Sequence, residues 1–183
     1  LIFLLNDVSE YALILCSKQN NRFHRKIPER VPKLINLDGN RLKQVLLNLL
    51  SNAAKFTRDG VVTLSVTLEP EDKGSALHLA VSDTGIGIEL PPNIDISDDF
   101  QQTQVASEST GLGLVIAQRI LSAMGSTLRV SSTLGQGSTF SFVLSIPATE
   151  GSDLNWSVVP QSETRYGELP QDLVLPMQAL PKE

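Results

Sequence analysis

The sequence predicts an α+β fold, a two-layer α/β sandwich in which helices cover one face of a mixed β-sheet. Segments rich in apolar and β-branched residues fall into two groups along the chain, and segments with helical spacing lie before and between these groups. The 183 residues are 41% hydrophobic, which is enough for one domain with a buried core. We expect this domain to span residues 1–147 and residues 148–183 to form a linker or C-terminal tail.

The first third of the chain contains two predicted helices with strands between them. Residues 2–18 repeat apolar side chains at helical spacing and residues 23–27 alternate apolar with polar ones, which predicts a helix and then a strand. A short apolar segment at 34–37 predicts a second strand. Asp38 is a favourable N-cap, and the helix that follows it is expected to run to about Phe56.

The remaining elements are predicted from apolar segments and the turns that separate them. Residues 61–68 and 77–81 predict two antiparallel strands, because both are rich in strand-forming residues and a polar turn lies between them. Residues 112–124 predict a helix that ends at Gly125. A second hairpin is expected in the ranges 128–132 and 139–146.

Two segments lack such periodicity. Residues 89–110 contain two prolines and many polar residues, which indicates a loop. From residue 148 onward the apolar periodicity fades and four prolines follow, which is typical of a linker or tail. The chain begins without Met in the middle of a helical pattern, so we expect it to be part of a longer protein.

Charge and cysteine content disfavour several classes of function. A formal net charge of −5 argues against a nucleic-acid binder, since such proteins usually carry a basic surface. Cys16 is the only cysteine, so no internal disulfide bond can form, and its apolar surroundings predict a buried side chain. His24 and His78 are far apart, which disfavours a metal site of histidine and cysteine. No apolar segment is long enough to cross a membrane, and we expect no membrane contact by this chain.

The helix after Asp38 carries a narrow polar stripe, separate from its apolar face, that consists of Arg41, Gln44, Asn48, Asn52 and Lys55. Asparagine is a poor helix former, so Asn48 and Asn52, one turn apart, suggest a function. Their carbonyl oxygens are suitable ligands for Mg²⁺, and Lys55 one turn further could contact a phosphate group. Ordinary exposed amides are the alternative interpretation.

Three glycine-containing segments follow, and each has two interpretations. At residues 83–88, Asp83 ends a strand, where a partly desolvated carboxylate needs a donor such as the exocyclic amine of adenine; a tight turn is the alternative. Residues 111–114 begin a helix, whose free N–H groups favour a phosphate group, unless the glycines only permit a sharp entry. Residues 135–140 begin a strand, for which a hairpin turn is the simpler explanation.

The four segments in this order resemble the N box and the three glycine boxes of the catalytic domain of sensor histidine kinases. They are Asn48–Thr57, Asp83–Gly87, Gly111–Leu114 and Gly135–Phe140. The resemblance extends over roughly residues 1–147. It implies the Bergerat ATP-binding fold, with ATP and Mg²⁺ as ligands.

The resemblance also implies a role for each matching residue. Asn52 is implied to bind the metal ion with support from Asn48. Asn48 and Lys55 are implied to serve the phosphoryl-transfer step, in which Lys55 contacts a phosphate group. Phe56 is implied to pack beside the adenine, and Asp83 to accept a hydrogen bond from the adenine amine.

Glycines and a hydroxyl group complete the implied site. Gly85 and Gly87 would shape the adenine pocket. The hydroxyl group beside the adenine would come from Ser138, for which Thr139 could substitute. The hinge and the phosphate-binding end of the ATP lid are implied to lie in Gly111, Leu112, Gly113 and Leu114.

The lid segment departs from the family pattern. Phe100 is present, but Ser97 stands where a first aromatic residue is expected, and residues 101–110 contain no Lys or Arg. The extra glycine that usually precedes the second glycine box is also absent. These differences predict a weaker grip of the lid on ATP, while the adenine pocket is retained.

The implied activity is that of a protein-histidine kinase, which transfers the γ-phosphoryl group of ATP to a histidine on an upstream helical dimerisation domain. Neither His24 nor His78 has the helical context and acidic neighbour of that acceptor, and both are interpreted as strand residues with satisfied rings. The implied partners are this upstream domain and the receiver domain of a response regulator. We expect a homodimeric full-length protein, with this domain in the cytoplasm and an inner-membrane anchor as one option.

Two other functions stay open at this point. Hydrolytic ATPases of the wider superfamily, such as gyrase, carry Glu at the position of Asn48, and an amide cannot accept the proton of an attacking water. Asn48 therefore favours the kinase. A degenerate signalling module that binds nucleotide weakly and lacks kinase activity is the second alternative, and measured nucleotide affinity would distinguish it.

Overall fold

The computed structural model describes residues 1–32, 35–71, 74–89, 111–147 and 156–158. The helices in these ranges are α1 (Ile2–Ser17), α2 (Gly39–Phe56) and α3 (Gly111–Ala123). The strands are β1 (Arg22–Lys26), β2 (Arg30–Pro32), β3 (Val61–Glu71), β4 (Gly74–Asp83), β5 (Arg129–Thr133), β6 (Gly137–Pro147) and β7 (Trp156–Val158).

The larger sheet has five strands in the order β1-β3-β4-β6-β5. β1 runs parallel to β3, and the other neighbouring strands are antiparallel, so the sheet is mixed. α2 follows β1 and precedes β3, and so forms part of the long crossover that a parallel pair requires. The predicted α+β class with a mixed sheet is confirmed.

One face of this sheet forms the core together with the apolar sides of the helices. Alternate strand residues are buried there because successive side chains of a strand point to opposite faces. The buried strand residues include Phe23, Val62, Leu64, Leu79, Val81, Phe140 and Phe142. On the opposite face the side chains are mostly small or polar. In the described part of the chain, helices therefore cover one face of the sheet, the one that forms the core, as the sequence predicted.

α2 begins and ends where the sequence predicted, and its ends have clear causes. The Asp38 side chain accepts a hydrogen bond from the Arg41 backbone N–H at 3.1 Å, which satisfies one of the free donors of the first turn. At the other end Thr57 adopts an extended conformation, with φ −110° and ψ 139°, and stops the helix. The polar stripe with Asn48 and Asn52 is thus carried by a helix whose two ends are fixed.

The predicted strand at 34–37 is wrong for residues 35–37, which are not in a strand, while Leu34 lies outside the described residues. The strand lies earlier, at β2, and pairs antiparallel with β7. Pro32 is tolerated at the end of this small sheet because edge positions need no N–H donor. β7 falls in the predicted tail, where a three-residue strand with a distant partner leaves no local pattern.

β3 and β4 are longer than predicted, because their pairing continues through the predicted turn. Pro70 lies opposite Ser75 and Glu71 opposite Gly74. β1 pairs with β3 only as far as Ser65, and no other described strand pairs with the later part of β3 on that side, so among the described residues a proline there costs no ladder hydrogen bond. The β3–β4 hairpin, which ends at Asp83, is therefore longer than the sequence predicted.

The surroundings of Cys16 confirm its predicted burial, since its side chain is 1% exposed within the core. Burial raises the pKa of the Cys16 thiol to about 11, because a thiolate would lose its hydration there. Among the described residues, none of the helices is both long and apolar enough to cross a membrane.

We expect the native protein to react very slowly with a thiol reagent such as iodoacetamide at pH 8. The thiolate is the reactive form, and with a pKa near 11 only about one thiol in a thousand is ionised at that pH. Mass spectrometry of the alkylated protein over time measures this directly. The denatured chain serves as the control and should react quickly, whereas equal rates in both states would contradict the burial of Cys16.

Candidate nucleotide-binding site

The asparagine stripe of α2 lies against the first turn of α3. Asn48 Nδ2 donates a hydrogen bond to the Gly113 carbonyl oxygen at 3.3 Å. A Cβ atom placed on Gly113 would lie 3.6 Å from Asn52 Nδ2, so the backbone of α3 passes directly over this side chain. The structure therefore brings the second glycine box beside both asparagines.

Asn52 has an unsatisfied amide in this position. Its Nδ2 atom is buried and has no hydrogen-bond partner among the residues that the structure describes. A buried unpaired amide is costly, which points to a missing ligand. Since the oxygen and nitrogen of an amide exchange places by rotation, Asn52 can equally present its carbonyl oxygen.

These residues fit a Mg²⁺ ion that is bound mainly by phosphate and water oxygens. Mg²⁺ keeps several waters and uses few protein ligands in nucleotide sites, so one or two amide oxygens are sufficient. No cluster of three or more His, Cys, Asp or Glu residues able to hold a metal is found in the described ranges. Asn48 donates one amide hydrogen to the Gly113 carbonyl oxygen. This contact suits the role that the family resemblance implies for it, which is to support Asn52.

Lys55 and Phe56 occupy the last turn of α2. The Lys55 ammonium group lies 5.2 Å from the centroid of the Phe56 ring, within range of a cation–π interaction. A positive charge at this end also complements the helix dipole. The Phe56 carbonyl oxygen accepts a hydrogen bond from the Ile86 backbone N–H at 3.2 Å, which ties the end of α2 to the glycine loop after β4.

Asp83 lies at the end of β4 with its carboxylate partly desolvated. Burial raises its pKa, and this effect is opposed by N–H groups of Gly85 and Ser138 and by the nearby Thr57 hydroxyl. The Gly85 N–H donates to Asp83 Oδ1 at 2.8 Å, whereas Thr57 Oγ1 faces the carboxylate without reaching hydrogen-bond geometry. Asp83 therefore closes a turn, as the alternative interpretation held, and its carboxylate has capacity for a further donor.

Gly85 and Gly87 are required by close backbone approaches within the protein. A Cβ atom on Gly85 would lie 2.2 Å from the Phe56 carbonyl oxygen. Gly87 has a φ of +68°, and a Cβ atom there would lie 2.2 Å from the Thr133 carbonyl oxygen. Close approach of the loop to α2 and to the end of β5 therefore requires glycine at both positions.

Ser138 and Thr139 lie on opposite faces of the sheet. Ser138 pairs with Asp83 across β4 and β6, is 7% exposed, and has its hydroxyl oxygen 2.9 Å from Ser132 Oγ. Thr139 donates to Ser82 Oγ at 2.9 Å on the other face. The structure thus brings Ser138 to the predicted adenine side, and it does not bring Thr139 there.

The second glycine box begins α3, as the sequence predicted. Gly111 is the first helical residue, and Leu114 is buried in the core, so the Leu114 side chain supports the helix from behind. The environment of the Leu112 side chain lies outside the described part of the chain. The same holds for residues 90–110, which include Ser97, Phe100 and almost all of the predicted lid.

Sequence reasoning missed two hydroxyl residues that lie beside Gly85 and Ser138, on the predicted adenine side. Thr57 is 1% exposed, and a Cβ atom on Gly85 would lie 2.8 Å from its Oγ1 atom. Ser132 accepts a hydrogen bond from the Ile88 N–H at 2.7 Å and donates to the Gly137 carbonyl oxygen at 3.0 Å. Thr57 adjoins the helix end and could have been suspected, but nothing in the sequence marks Ser132.

Comparisons with known proteins agree with this arrangement. A sequence model of the family described as histidine kinase-, DNA gyrase B- and HSP90-like ATPase matches residues 37–149. The aerobic respiration control sensor protein ArcB of Escherichia coli K12 is 34% identical over 152 residues, which cover 79% of this chain and 19% of that protein. The sensor histidine kinase GacS of Pseudomonas protegens is 43% identical over 120 residues, covering 61% and 13%.

A solved structure shows the same fold. Full-length ShkA, crystallised in complex with AMPPNP, superposes with a TM-score of 0.66 at 32% identity and covers 80% of this chain and 30% of that one. The chain spans about a fifth of the length of ArcB. The resemblance to histidine-kinase catalytic domains is confirmed, and the chain belongs to the family of histidine kinase-, DNA gyrase B- and HSP90-like ATPases.

Proposed function

We propose that this chain binds Mg–ATP between α2, the loop after β4 and the first turn of α3, and serves as the catalytic domain of a sensor histidine kinase. The observation that carries the proposal is the buried amide nitrogen of Asn52 beside the α3 N-terminus, which has no hydrogen-bond partner in the described part of the chain. Asp83, a desolvated carboxylate suited to an amine, lies at the end of β4. These two features suit the phosphate end and the base end of one nucleotide.

The proposed roles follow from this geometry. Asn52, supported by Asn48, would hold the Mg²⁺ ion through its amide oxygen. Bound Mg²⁺ would neutralise charge on the phosphate oxygens during transfer. Lys55 would add a second positive charge near the phosphates, and the free N–H groups of the first turn of α3 would donate to them. The protein contributes position and charge, which is most of what phosphoryl transfer requires.

On the base side, we propose that Asp83 accepts a hydrogen bond from the adenine amine. Phe56 would pack beside the adenine ring. Ser138 would supply the hydroxyl group next to it, and the Gly85 and Gly87 turns would hold the pocket in shape. Ser138 is favoured over Thr139 in this role because it shares a sheet face with Asp83.

Asn48 favours the kinase over a hydrolytic ATPase. Its amide donates to the Gly113 carbonyl oxygen and has no basic atom that could take a proton from water. A glutamate there would turn an acceptor toward that carbonyl oxygen. A module that binds nucleotide weakly without transferring phosphate is the second candidate, and the absence of Lys and Arg from residues 101–110 favours it.

The partners belong to the proposal too. The γ-phosphoryl group would pass to a histidine on a helical dimerisation domain elsewhere in a homodimeric full-length protein, and from there to a receiver domain. The similarity to the sensor proteins ArcB and GacS supports this arrangement. We propose that this domain lies in the cytoplasm. The full-length protein would be either anchored in the inner membrane or soluble.

The isolated chain is expected to bind Mg–ATP without labelling itself. His24 and His78 lie on the open face of the sheet, in register with Thr63 and Thr67, whereas the proposed phosphate site lies on the helix-covered side. Incubation with γ-labelled ATP, with and without a longer form of the protein that includes the upstream domain, tests this. Label should appear only when that domain is present, and phosphate on His24 or His78 would contradict the proposal.

A further inference from the structure

The connector between α1 and β1 is tied to the C-terminal end of α2 by a buried asparagine. Asn21 is 7% exposed. Its Nδ2 atom donates to the carbonyl oxygens of Ala54 at 3.2 Å and Thr57 at 2.8 Å, and its Oδ1 atom accepts from the Gly60 N–H at 3.0 Å. All the polar atoms of this amide are therefore used, and all three partners belong to the end of α2 and the turn that follows it.

The last carbonyl groups of a helix have no partner within the helix, so they must be satisfied from outside. Here two different segments share that task. Asn21 satisfies Ala54 and the extended residue Thr57, while the Ile86 N–H satisfies Phe56. The connector and the glycine loop after β4 thus hold the same helix end from two sides.

Thr57 transmits this arrangement to the adenine side. Its carbonyl oxygen is held by Asn21, and its side chain, 1% exposed, packs against the backbone of Gly85 and faces Asp83. A Cβ atom on Gly85 would lie 2.2 Å from the Phe56 carbonyl oxygen, so the loop has almost no space to shift at this contact. The position of the Asp83 turn therefore depends on where the end of α2 is held.

We propose that Asn21 is a positioning residue for recognition of the nucleotide base, which acts through Thr57 and Gly85 on the carboxylate of Asp83. The inference rests on the proposed function, because it assigns a determinant of base specificity to that same site. A purely structural helix cap would stabilise the fold without affecting which base is preferred.

The sharpest variant is Asn21→Asp, which keeps the size of the side chain and the acceptor for Gly60. The native amide nitrogen donates to the Ala54 and Thr57 carbonyl oxygens. In the variant a carboxylate oxygen, which can only accept, would face these two acceptors. Asn21→Ser is a milder second variant that removes the double hydrogen bond without adding charge. In both variants we expect affinity for ATP to fall about tenfold, from loss of buried hydrogen bonds and a displaced acceptor.

Asn20→Ala is the matched control. Asn20 neighbours Asn21 in the same connector, donates to Asp59 Oδ1 at 2.6 Å, and has a φ of 56° that alanine tolerates poorly. This variant should lower the melting temperature without disturbing the carbonyl groups at the end of α2. It separates loss of stability from loss of specificity.

The experiment measures affinity for ATP and for GTP by titration calorimetry, together with a melting curve for each protein. The inference predicts that the ATP-to-GTP affinity ratio falls by about the same tenfold in the Asn21 variants and is unchanged in Asn20→Ala. Amide hydrogen exchange gives a second readout: the Ile86 N–H should exchange faster, relative to core amides, in the Asn21 variants only.

Folded Asn21→Asp or Asn21→Ser protein with the wild-type ATP-to-GTP ratio would overturn the inference and return Asn21 to a helix cap. Wild-type protein that binds neither nucleotide would overturn the proposed function itself. The two failures are distinguishable, because the first requires a wild-type protein that binds ATP in preference to GTP.

Discussion

Wild-type protein is expected to bind ATP more tightly than GTP, and Asp83→Asn is expected to abolish or reverse that preference. The Gly85 N–H donates to Asp83 Oδ1, so the asparagine oxygen would keep this hydrogen bond and the turn with it. The asparagine amino group would then face the base. The asparagine amino group and the adenine amine would then be two donors facing each other. The carbonyl oxygen of guanine, in contrast, would accept a hydrogen bond from the asparagine. An unsatisfied buried polar group costs roughly 1–3 kcal/mol, or about ten- to a hundredfold in affinity for ATP.

Calorimetric titration of both nucleotides, with a melting curve for each protein, checks this expectation. Asp7→Asn is a suitable control, since it makes the same change of charge at an exposed carboxylate paired with Lys43, away from the site. If Asp83 only forms the turn, the variant should keep the wild-type ATP-to-GTP ratio, whatever its melting temperature. Equal affinity of the wild type for the two nucleotides would refute the role of Asp83 in base recognition.

Asn52→Ala is expected to weaken Mg–ATP binding strongly while leaving the fold as stable as before or slightly more stable. Loss of even an outer partner of a metal site costs about ten- to a hundredfold in metal affinity, and loss of a direct ligand should cost at least as much. Stability should not fall, because the Asn52 Nδ2 atom has no hydrogen-bond partner within the described ranges and alanine is the better helix former.

The measurement is the affinity for ATP at several Mg²⁺ concentrations, with Asn40→Ala as the control. Asn40 lies on the same helix and is exposed in its first turn, so its replacement makes the same chemical change far from α3. The Asn52 variant should lose the dependence of ATP binding on Mg²⁺, and the Asn40 variant should keep it. Unchanged Mg–ATP affinity in Asn52→Ala would assign its amide no role in the site.

The parts of the site that could be predicted from the sequence are those encoded by local pattern. α2 combines an N-cap at Asp38 with an apolar stripe, and its asparagines stand out because they contradict helix propensity. The alternating strands around β4 identified where Asp83 ends a strand. Local chemistry of this kind is legible in a sequence because every residue involved lies within a few positions of the others.

The contacts that the sequence did not indicate are those between distant segments. The contacts of three residues depend on segments that only the folded sheet and the end of α2 bring together, and these residues are Asn21, Ser132 and Thr57. The proposed preference for Ser138 over Thr139 rests on the register of β4 and β6, since a shift of one residue exchanges the faces of the sheet. The strand at β2 was missed because its partner is β7.

The pairing of β2 with β7 has a consequence for the order in which the chain folds. Arg30 of β2 pairs with Val158 of β7, far along the sequence, and the two strands share three residue pairs, so little is gained for the large loop that must be closed. The β3–β4 hairpin, by contrast, joins neighbouring segments over ten residue pairs. Folding should therefore begin in local contacts of this kind, and β2 and β7 should pair last, after the five-stranded sheet that carries the proposed nucleotide site has formed.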